Sequence, residues 1–385
     1  MKRFFFVFLF LVGVAACGSS GEESIFTDPL LTAIDSTNDR LFVAEAGGVL
    51  FAFTASTIDE IGDQPIVEDD DDDAIHNLLP VSPTQMAAID VDGVSRLFIT
   101  GVQADDDDDN VTNRILVLDF DGATFAEASF SPIIVGDGDD TTDDSANLLG
   151  GLAVDETNGR LYVTDATTGR LSIFSTADGT ETAPAIAVDG TPNRMSLDGN
   201  RLYIANTIDT ADDQVITVVN TDDLTTTEID LDIPTNDISV ESNDSGTVLL
   251  AKHSTVQQVL VRTVDTTTYA ASTAIPVGDD SAVDGEINSG NGISAAVGGV
   301  VLTKDSAGTL YGYVPQADGI VELLTIASNL SSFTATALET LAEILEAPVV
   351  MTDSSENGVI VYIPASGSGD LVFTDVASDE LDGRF

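Results

Sequence analysis

The sequence predicts an all-β fold, a seven-bladed β-propeller of four-stranded antiparallel blades, on the basis of three observations. An Arg-Leu-aromatic-aliphatic segment recurs, beginning at Arg40, Arg96, Arg160 and Arg201. Weaker copies begin at 247, 300 and 359, so consecutive starts lie 41 to 64 residues apart. Each unit also contains four β-type segments, and four strands in each repeat are typical of a propeller blade.

The third repeat illustrates the strands. Its four segments are rich in Val, Ile, Phe, Tyr and Thr, alternate with period two and are separated by Gly, Asp and Asn turns. They cover residues 148–154, 160–165, 170–175 and 181–188. Because one four-stranded sheet leaves a face exposed, the repeats are expected to stack around an axis.

The seventh repeat contains only three β-type segments of its own. The segment ESIFTD, residues 23–28, precedes the first repeat and is apolar enough to supply the missing strand. We therefore expect an N-terminal strand to close the last blade and to hide both edges of the ring.

One segment, residues 334–347, has helical spacing and predicts a short helix inserted before the seventh blade. Thr336 and Glu339 have the spacing of a capping box. The apolar positions of this helix are Leu338, Leu341, Ile344 and Leu345. It could pack on the ring or cover the central channel.

The N-terminus predicts export. Lys2 and Arg3 precede an apolar stretch, residues 4–16, that is too short to cross a bilayer, so residues 1–16 are interpreted as a signal peptide. The segment ending at Cys17, VAAC, resembles a bacterial lipobox. This resemblance implies a diacylglycerol on the Cys17 sulfur, and an ordinary secretion signal with a chance cysteine is the alternative.

A lipidated Cys17 gives the expected organisation: a membrane tether over 17–23, then a single propeller domain over 24–385. Gly18 after the cysteine favours the outer membrane, by resemblance to lipoprotein sorting in Gram-negative bacteria. Because Cys17 is the only cysteine, the mature domain is expected to contain no disulfide.

The charge excludes several partners. The chain has 66 Asp and Glu residues against 13 Lys and Arg, and its formal net charge is −53. Such a surface repels nucleic acid and anionic lipid head groups. The chain is 43% hydrophobic, which provides material for a core and argues against disorder.

Much of this charge lies in five acidic runs, at 68–73, 105–109, 136–144, 209–213 and 278–286. The predicted strand order places all five at one end of the ring. That end could bind Ca²⁺ or Mg²⁺, with Asp137, Asp139 and Asp140 as candidate ligands. It could also be a solvated surface suited to a salt-rich medium, or attract a basic protein or polycation.

The RLYV-type strands resemble those of YVTN and NHL-type seven-bladed propellers, over about residues 24–376. The resemblance implies the fold and says little about function, because these propellers have many activities. The four repeat arginines are interpreted as partners of turn carboxylates rather than as binding residues.

Propellers of the gluconolactonase type hold a central Ca²⁺ through Glu, Asn and Asp. That resemblance suggests Glu45, Asp165 and Asn206 as further candidate ligands and a Ca²⁺-dependent lactonase or hydrolase as the alternative function. The sequence contains only two histidines and none of the common hydrolase motifs. We therefore favour a non-enzymatic, monomeric, lipid-anchored binding or scaffold protein of the cell envelope.

Overall fold

A computed structural model gives the structure of the chain. It describes residues 26, 29–45, 47–57, 59–61, 65–66, 79, 82–104, 110–111, 113–136, 148–207, 215–231, 233–255, 257–268, 271–274, 286–288, 297–330, 333–339, 349–353, 358–365, 370–375 and 383–384. These residues form seven antiparallel sheets that follow one another along the chain.

The first two sheets differ in how complete their outer strand is. The first contains β1 (Pro29–Asp35), β2 (Arg40–Glu45), β3 (Val49–Thr54) and β4 (Asp59–Glu60). The second contains β5 (Ser82–Val91), β6 (Val94–Ala104), β8 (Arg114–Phe120) and β10 (Ile133–Ile134), with β7 (Asn110–Val111) beside β6 and β9 (Phe125–Glu127) beside β8.

The third and fourth sheets each have four strands in simple chain order. The third contains β11 (Leu149–Asp155), β12 (Arg160–Asp165), β13 (Arg170–Ser175) and β14 (Glu181–Ala187). The fourth contains β15 (Thr191–Asp198), β16 (Arg201–Thr207), β17 (Val215–Asn220) and β18 (Thr226–Asp230).

The last three sheets complete the chain. The fifth contains β19 (Thr235–Asn243), β20 (Gly246–His253), β21 (Gln258–Val264) and β22 (Ala271–Ala274), with β23 (Glu286–Asn288) also beside β21. The sixth contains β24 (Val301–Lys304), β25 (Leu310–Pro315), β26 (Ile320–Ile326) and β27 (Phe333–Glu339). The seventh contains β28 (Val349–Asp353), β29 (Gly358–Ala365), β30 (Asp370–Asp375) and β31 (Gly383–Arg384).

The sheets stand around an axis as the blades of a β-propeller. The first strand of each sheet contacts the first strand of the next, and β1 also contacts β28 and β29. The first strands therefore form the inner wall of the ring, and the fourth strands form its outer edge. This strand order defines two ends of the ring. The second strands finish at one end, and the turns between first and second strands lie at the other.

The second strand of a blade shows why the repeat is so apolar. In β2, Leu41 and Val43 pack in the cluster between the first and seventh blades, whereas Phe42 and Ala44 pack in the cluster between the first and second. Both faces of the strand are therefore covered. A strand buried on both faces requires a continuous apolar run, which explains the Leu-aromatic-aliphatic sequence after each repeat arginine.

The predicted fold class was wrong as stated, and the inserted helix is one reason. Residues 333–339 form β27, whose seven residues all pair with β26 as the outer strand of the sixth blade. Thr336 and Glu339, the proposed capping pair, thus lie in a strand, because a complete ladder with β26 overrides the local helical preference. The rest of the predicted helix, 340–347, lies outside the described residues, and the described residues contain no helix.

The predicted closure of the ring by an N-terminal strand was also wrong. The fourth strand of the last blade is β31, which pairs with β30 through Val372↔Arg384 and Phe373↔Gly383. Phe26 is the described residue of the predicted closing segment, and it contributes a side chain instead of a strand. Its ring lies 4.8 Å from that of Phe51 and 5.8 Å from that of Phe53, and it is buried between the first and last blades.

One acidic run has a different place in the topology from the one predicted. Both β22 and β23 pair with β21, so residues 275–285 connect two pieces of the outer strand of the fifth blade. The run at 278–286 therefore begins within that blade rather than after it. The other four runs connect strands at the end where second strands finish. We call this end of the ring the acidic end.

Candidate functional site

The four repeat arginines share one role in the structure: each joins its blade to the next. Arg40 Nη1 donates to the Phe120 carbonyl oxygen at 2.8 Å, and Arg96 Nη1 donates to the Thr176 carbonyl oxygen at 2.8 Å. The remaining two pairs, each to a backbone carbonyl oxygen, are Arg160 with Thr221 and Arg201 with Thr266. Every acceptor lies at or just after the end of a third strand in the following blade.

Arg96 also has a carboxylate partner. Arg96 binds both carboxylate oxygens of Asp119 on its own blade, at 2.6 and 2.8 Å. The prediction named turn carboxylates and did not include the backbone acceptors. The shared partner is a backbone carbonyl oxygen of the neighbouring blade, which no repeat motif in the sequence reveals.

Other side chains make such bonds from the fifth and seventh blades, which lack the arginine. Asn243 Nδ2 donates to the Gly308 and Ser328 carbonyl oxygens of the sixth blade, at 2.7 and 3.0 Å. The Tyr362 hydroxyl of the last blade donates to the Ala55 carbonyl oxygen of the first. Different residues therefore supply the same kind of bond from one blade to the turn of the next.

A second repeated device, which the sequence reading missed, lies in the turns after the third strands. Asp121, Asp178, Asp223 and Asp265 each accept hydrogen bonds from a threonine two or three residues later. These hydrogen bonds to the ionised carboxylate lower the pKa of all four aspartates. The signal was present, as an Asp followed closely by Thr in four repeats. These acids lie opposite the acidic end.

Three strand-end residues were predicted as calcium ligands. Asp165 Oδ1 accepts bonds from the Thr167 and Thr168 amides at 2.9 and 3.0 Å, and its Oδ2 accepts the Thr168 hydroxyl. Asn206 Nδ2 donates to Thr217 Oγ1 at 2.9 Å. Each of these contacts therefore lies within one blade: those of Asp165 in the third blade and that of Asn206 in the fourth.

The third of these residues, Glu45, ends β2 and is 5% exposed. Over the part of the chain that the structure describes, no group of three or more His, Cys, Asp or Glu side chains could hold a metal ion. Asp137, Asp139 and Asp140 lie outside the described residues, so a calcium site stays a prediction. The same applies to lipidation at Cys17.

A buried carboxylate lies on the inner wall instead. Asp237 of β19 accepts bonds from the Val300 amide of the sixth blade, at 3.0 Å, and from the Ile238 amide, at 2.9 Å. Burial raises its pKa, against the opposing charges of Arg194 and Lys252. Two of the few cations of this protein thus lie near one carboxylate that joins the fifth blade to the sixth.

The sixth blade contains another buried acid. Glu322 is 4% exposed, and its Oε2 has no hydrogen-bond partner among the described residues. Glu322 lies on β26, directly opposite Val314 of the neighbouring strand β25. Val314 and Leu324 belong to the apolar cluster between the fifth and sixth blades. Burial raises the pKa of Glu322 to about 7.

We expect Glu322→Gln to stabilise the fold at pH 8 by about 1 to 2 kcal/mol, because ionised Glu322 is disfavoured in the folded state. The folded pKa lies above the unfolded one, so the parent loses stability as pH rises from about 4.5 to 7. Urea unfolding at pH 5 and pH 8 measures this, and the advantage of the variant should shrink markedly at pH 5. The exposed Glu127→Gln should follow the parent at both pH values, and an equal offset of Glu322→Gln at both would contradict the assignment.

The sequence matches no protein-family model and no curated protein. Solved structures are similar over most of the chain. The WD40 repeats of RRP9 are 9% identical, with 88% of each chain covered and a TM-score of 0.56. Streptogramin B lyase is 13% identical, with 89% of this chain and 92% of that chain covered and a TM-score of 0.52.

Raptor from Chaetomium thermophilum is similar over 93% of this chain but only 28% of its own, at 13% identity and a TM-score of 0.58. At these identities the similarity shows the β-propeller fold alone, which hosts unrelated activities. Among the described residues, no helix is long and apolar enough to span a bilayer.

Proposed function

We propose that this chain is a lipid-anchored, non-enzymatic binding protein of the bacterial cell envelope that presents its acidic end to a basic protein or polycation. The carrying observation is the distribution of charge. Four of five acidic runs connect strands at one end of the propeller, and the net charge is −53. A cluster of carboxylates raises the local concentration of a cationic partner and speeds its association.

The other end supports this proposal by contrast. There, many aspartates satisfy the backbone of tight turns, as Asp121, Asp178, Asp223 and Asp265 do. Such residues have a structural reason to be acidic. The runs at the acidic end are longer than any turn requires, so their charge calls for a different explanation.

The binding test uses decalysine and the full chain. Changing Asp105–Asp109 to asparagine should weaken decalysine binding several-fold in 0.1 M salt, and the parent should lose affinity steeply as salt rises. The control removes the same charge from the other end: Asp92→Asn, Glu127→Gln, Glu156→Gln, Asp222→Asn and Asp244→Asn. If both variants lose equal affinity, net charge alone is responsible and the proposed binding end is wrong.

The anchor has a separate test. Cys17→Ser should move the protein from the detergent-soluble membrane fraction to the aqueous fraction of cells and abolish labelling by radioactive palmitate. Because the predicted propeller domain begins at residue 24, we expect the thermal unfolding of the purified protein to be unchanged. Palmitate labelling that persists in Cys17→Ser would overturn the anchor and leave the acidic-end proposal untouched.

A further inference from the structure

A cavity of about 360 Å³ lies between the second and third blades, away from the inner wall. We call it the outer groove. One wall is Ile134 and Val135 of the second blade. The other comes from β13 and β14 of the third blade and includes Arg170, Ser172, Phe174, Glu181 and Ala185. Its volume lies within the range of small-ligand sites.

The topology explains why this groove is open. The outer strand of the second blade is divided into β9 and β10, and β10 pairs with β8 through only two residues, Ile133 and Ile134. The second blade thus covers little of its neighbour at this point. Ile134 remains 39% exposed, one of two exposed large apolar side chains found in the described residues.

The chemistry of the groove is ordered along one strand. Arg170, Ser172 and Phe174 alternate along β13 and line the same cavity, and Glu181 pairs with Phe174 from β14. Arg170 and Phe174 are four residues apart, so a cation and an anion lie about 13 Å apart along the strand direction. The apolar side chains of Ile134 and Phe174 lie along the same cavity.

The cation is available for a ligand. Arg170 is exposed, and its guanidinium makes no hydrogen bond or ion pair with the residues that the structure describes. Asp165 also lines the groove, but its carboxylate oxygens already accept two turn amides and the Thr168 hydroxyl. Within the described part of the chain, no further strand pairs with the outer edges of β10 and β14, so their backbone groups can receive an extended chain.

We propose that the outer groove binds a short extended peptide of about four residues with free termini and apolar side chains. At about 3.3 Å per residue, four extended residues span the distance between the two charges. The peptide carboxylate would bind Arg170, its ammonium would bind Glu181, and its side chains would contact Phe174 and Ile134. This inference is independent of the anchor and of the acidic end.

The neighbouring cavity, between the third and fourth blades, is a natural control. It is lined by Thr217, Thr226, Thr227 and two acids, Asp189 and Glu228, and none of its lining residues is a cation or a large apolar residue. A zwitterionic apolar peptide has no matching surface there. Substitutions in that cavity should therefore leave peptide binding unchanged.

The test is calorimetric titration of the full chain with the tetrapeptide Ala-Leu-Leu-Ala and its end-capped forms. Amidating the carboxylate should weaken binding about tenfold, as expected for loss of a charge-assisted hydrogen bond. Arg170→Gln should cause the same loss with the free peptide and none beyond it with the amide. Likewise, Glu181→Gln should weaken binding of the free peptide as much as acetylating the peptide amine does, and it should cause no further loss with the acetylated peptide.

Ala185→Trp should fill the groove and abolish binding, whereas Thr226→Trp in the neighbouring cavity should leave it intact. The proposal fails if Ala-Leu-Leu-Ala gives no heat at millimolar concentration. It also fails if free and capped peptides bind the parent equally, or if Arg170→Gln changes nothing. Binding of decanoate without binding of the peptide would point to a fatty acid and would equally overturn it.

Discussion

Replacing Phe26 by alanine is expected to lower the free energy of unfolding by about 3 to 5 kcal/mol, the usual cost of removing a buried phenylalanine. Phe26 is 2% exposed and packs edge-on against Phe51 and Phe53. Its cluster also contains Tyr362 of the last blade, so the cavity would open where the ring closes. Urea unfolding monitored by circular dichroism measures the change.

Phe26→Leu is the matched control, since it keeps most of the buried volume and should cost less than about 1.5 kcal/mol. The pair of variants separates packing from strand pairing. If residues 23–28 acted as a strand, backbone bonds would dominate and the two variants would unfold alike. An unfolding midpoint for Phe26→Ala equal to that of the parent would show that this side chain does not hold the first and last blades together.

The second large effect is expected for Arg96→Ala, at about 3 kcal/mol. The Arg96 side chain is 11% exposed, and it binds Asp119 on its own blade and the Thr176 and Ala177 carbonyl oxygens of the next. Removing it leaves Asp119 and two carbonyl groups without their charged partner. The variant also loses the contact of the Arg96 guanidinium with the Phe130 ring, whose centroid lies 5.0 Å from Arg96 Cζ.

The control for Arg96→Ala is Arg170→Ala, a charge change of equal size at an exposed position of the third blade. We expect it to alter stability by no more than about 0.5 kcal/mol. Arg96→Lys should be intermediate, because one ammonium cannot reach the carboxylate and both carbonyl oxygens together. Equal losses for the two alanine variants would mean that charge, and not the bond between blades, stabilises the ring.

Local sequence was sufficient to predict the inner strands of each blade, and it failed where pairing with another strand decided the outcome. Residues 334–339 have helical spacing and a capping pair, yet together with Phe333 they form β27, because all seven residues of this strand pair with β26. The sequence of one segment does not show which strand will pair with it. The missing fourth strand of the last blade was assigned to the N-terminus for the same reason, although β31 supplies it.

The candidate site shows the same division. The recurrence of arginine at 40, 96, 160 and 201 was visible in the sequence, but its acceptor is a carbonyl oxygen roughly 60 to 80 residues away in the next blade. Any residue has a carbonyl oxygen, so no side-chain pattern marks the acceptor. The outer groove was also invisible, because it arises where β10 is too short to cover β13.

The sequence by itself determined the all-β class, the repeat and the burial of each second strand, since these depend on alternation and turn residues within about ten positions. The tertiary structure decided which segment completes each blade, what the repeat arginines bind and where a cavity remains. Those outcomes depend on which surfaces meet across the ring, and the free energy of such a contact belongs to both partners rather than to either stretch of sequence.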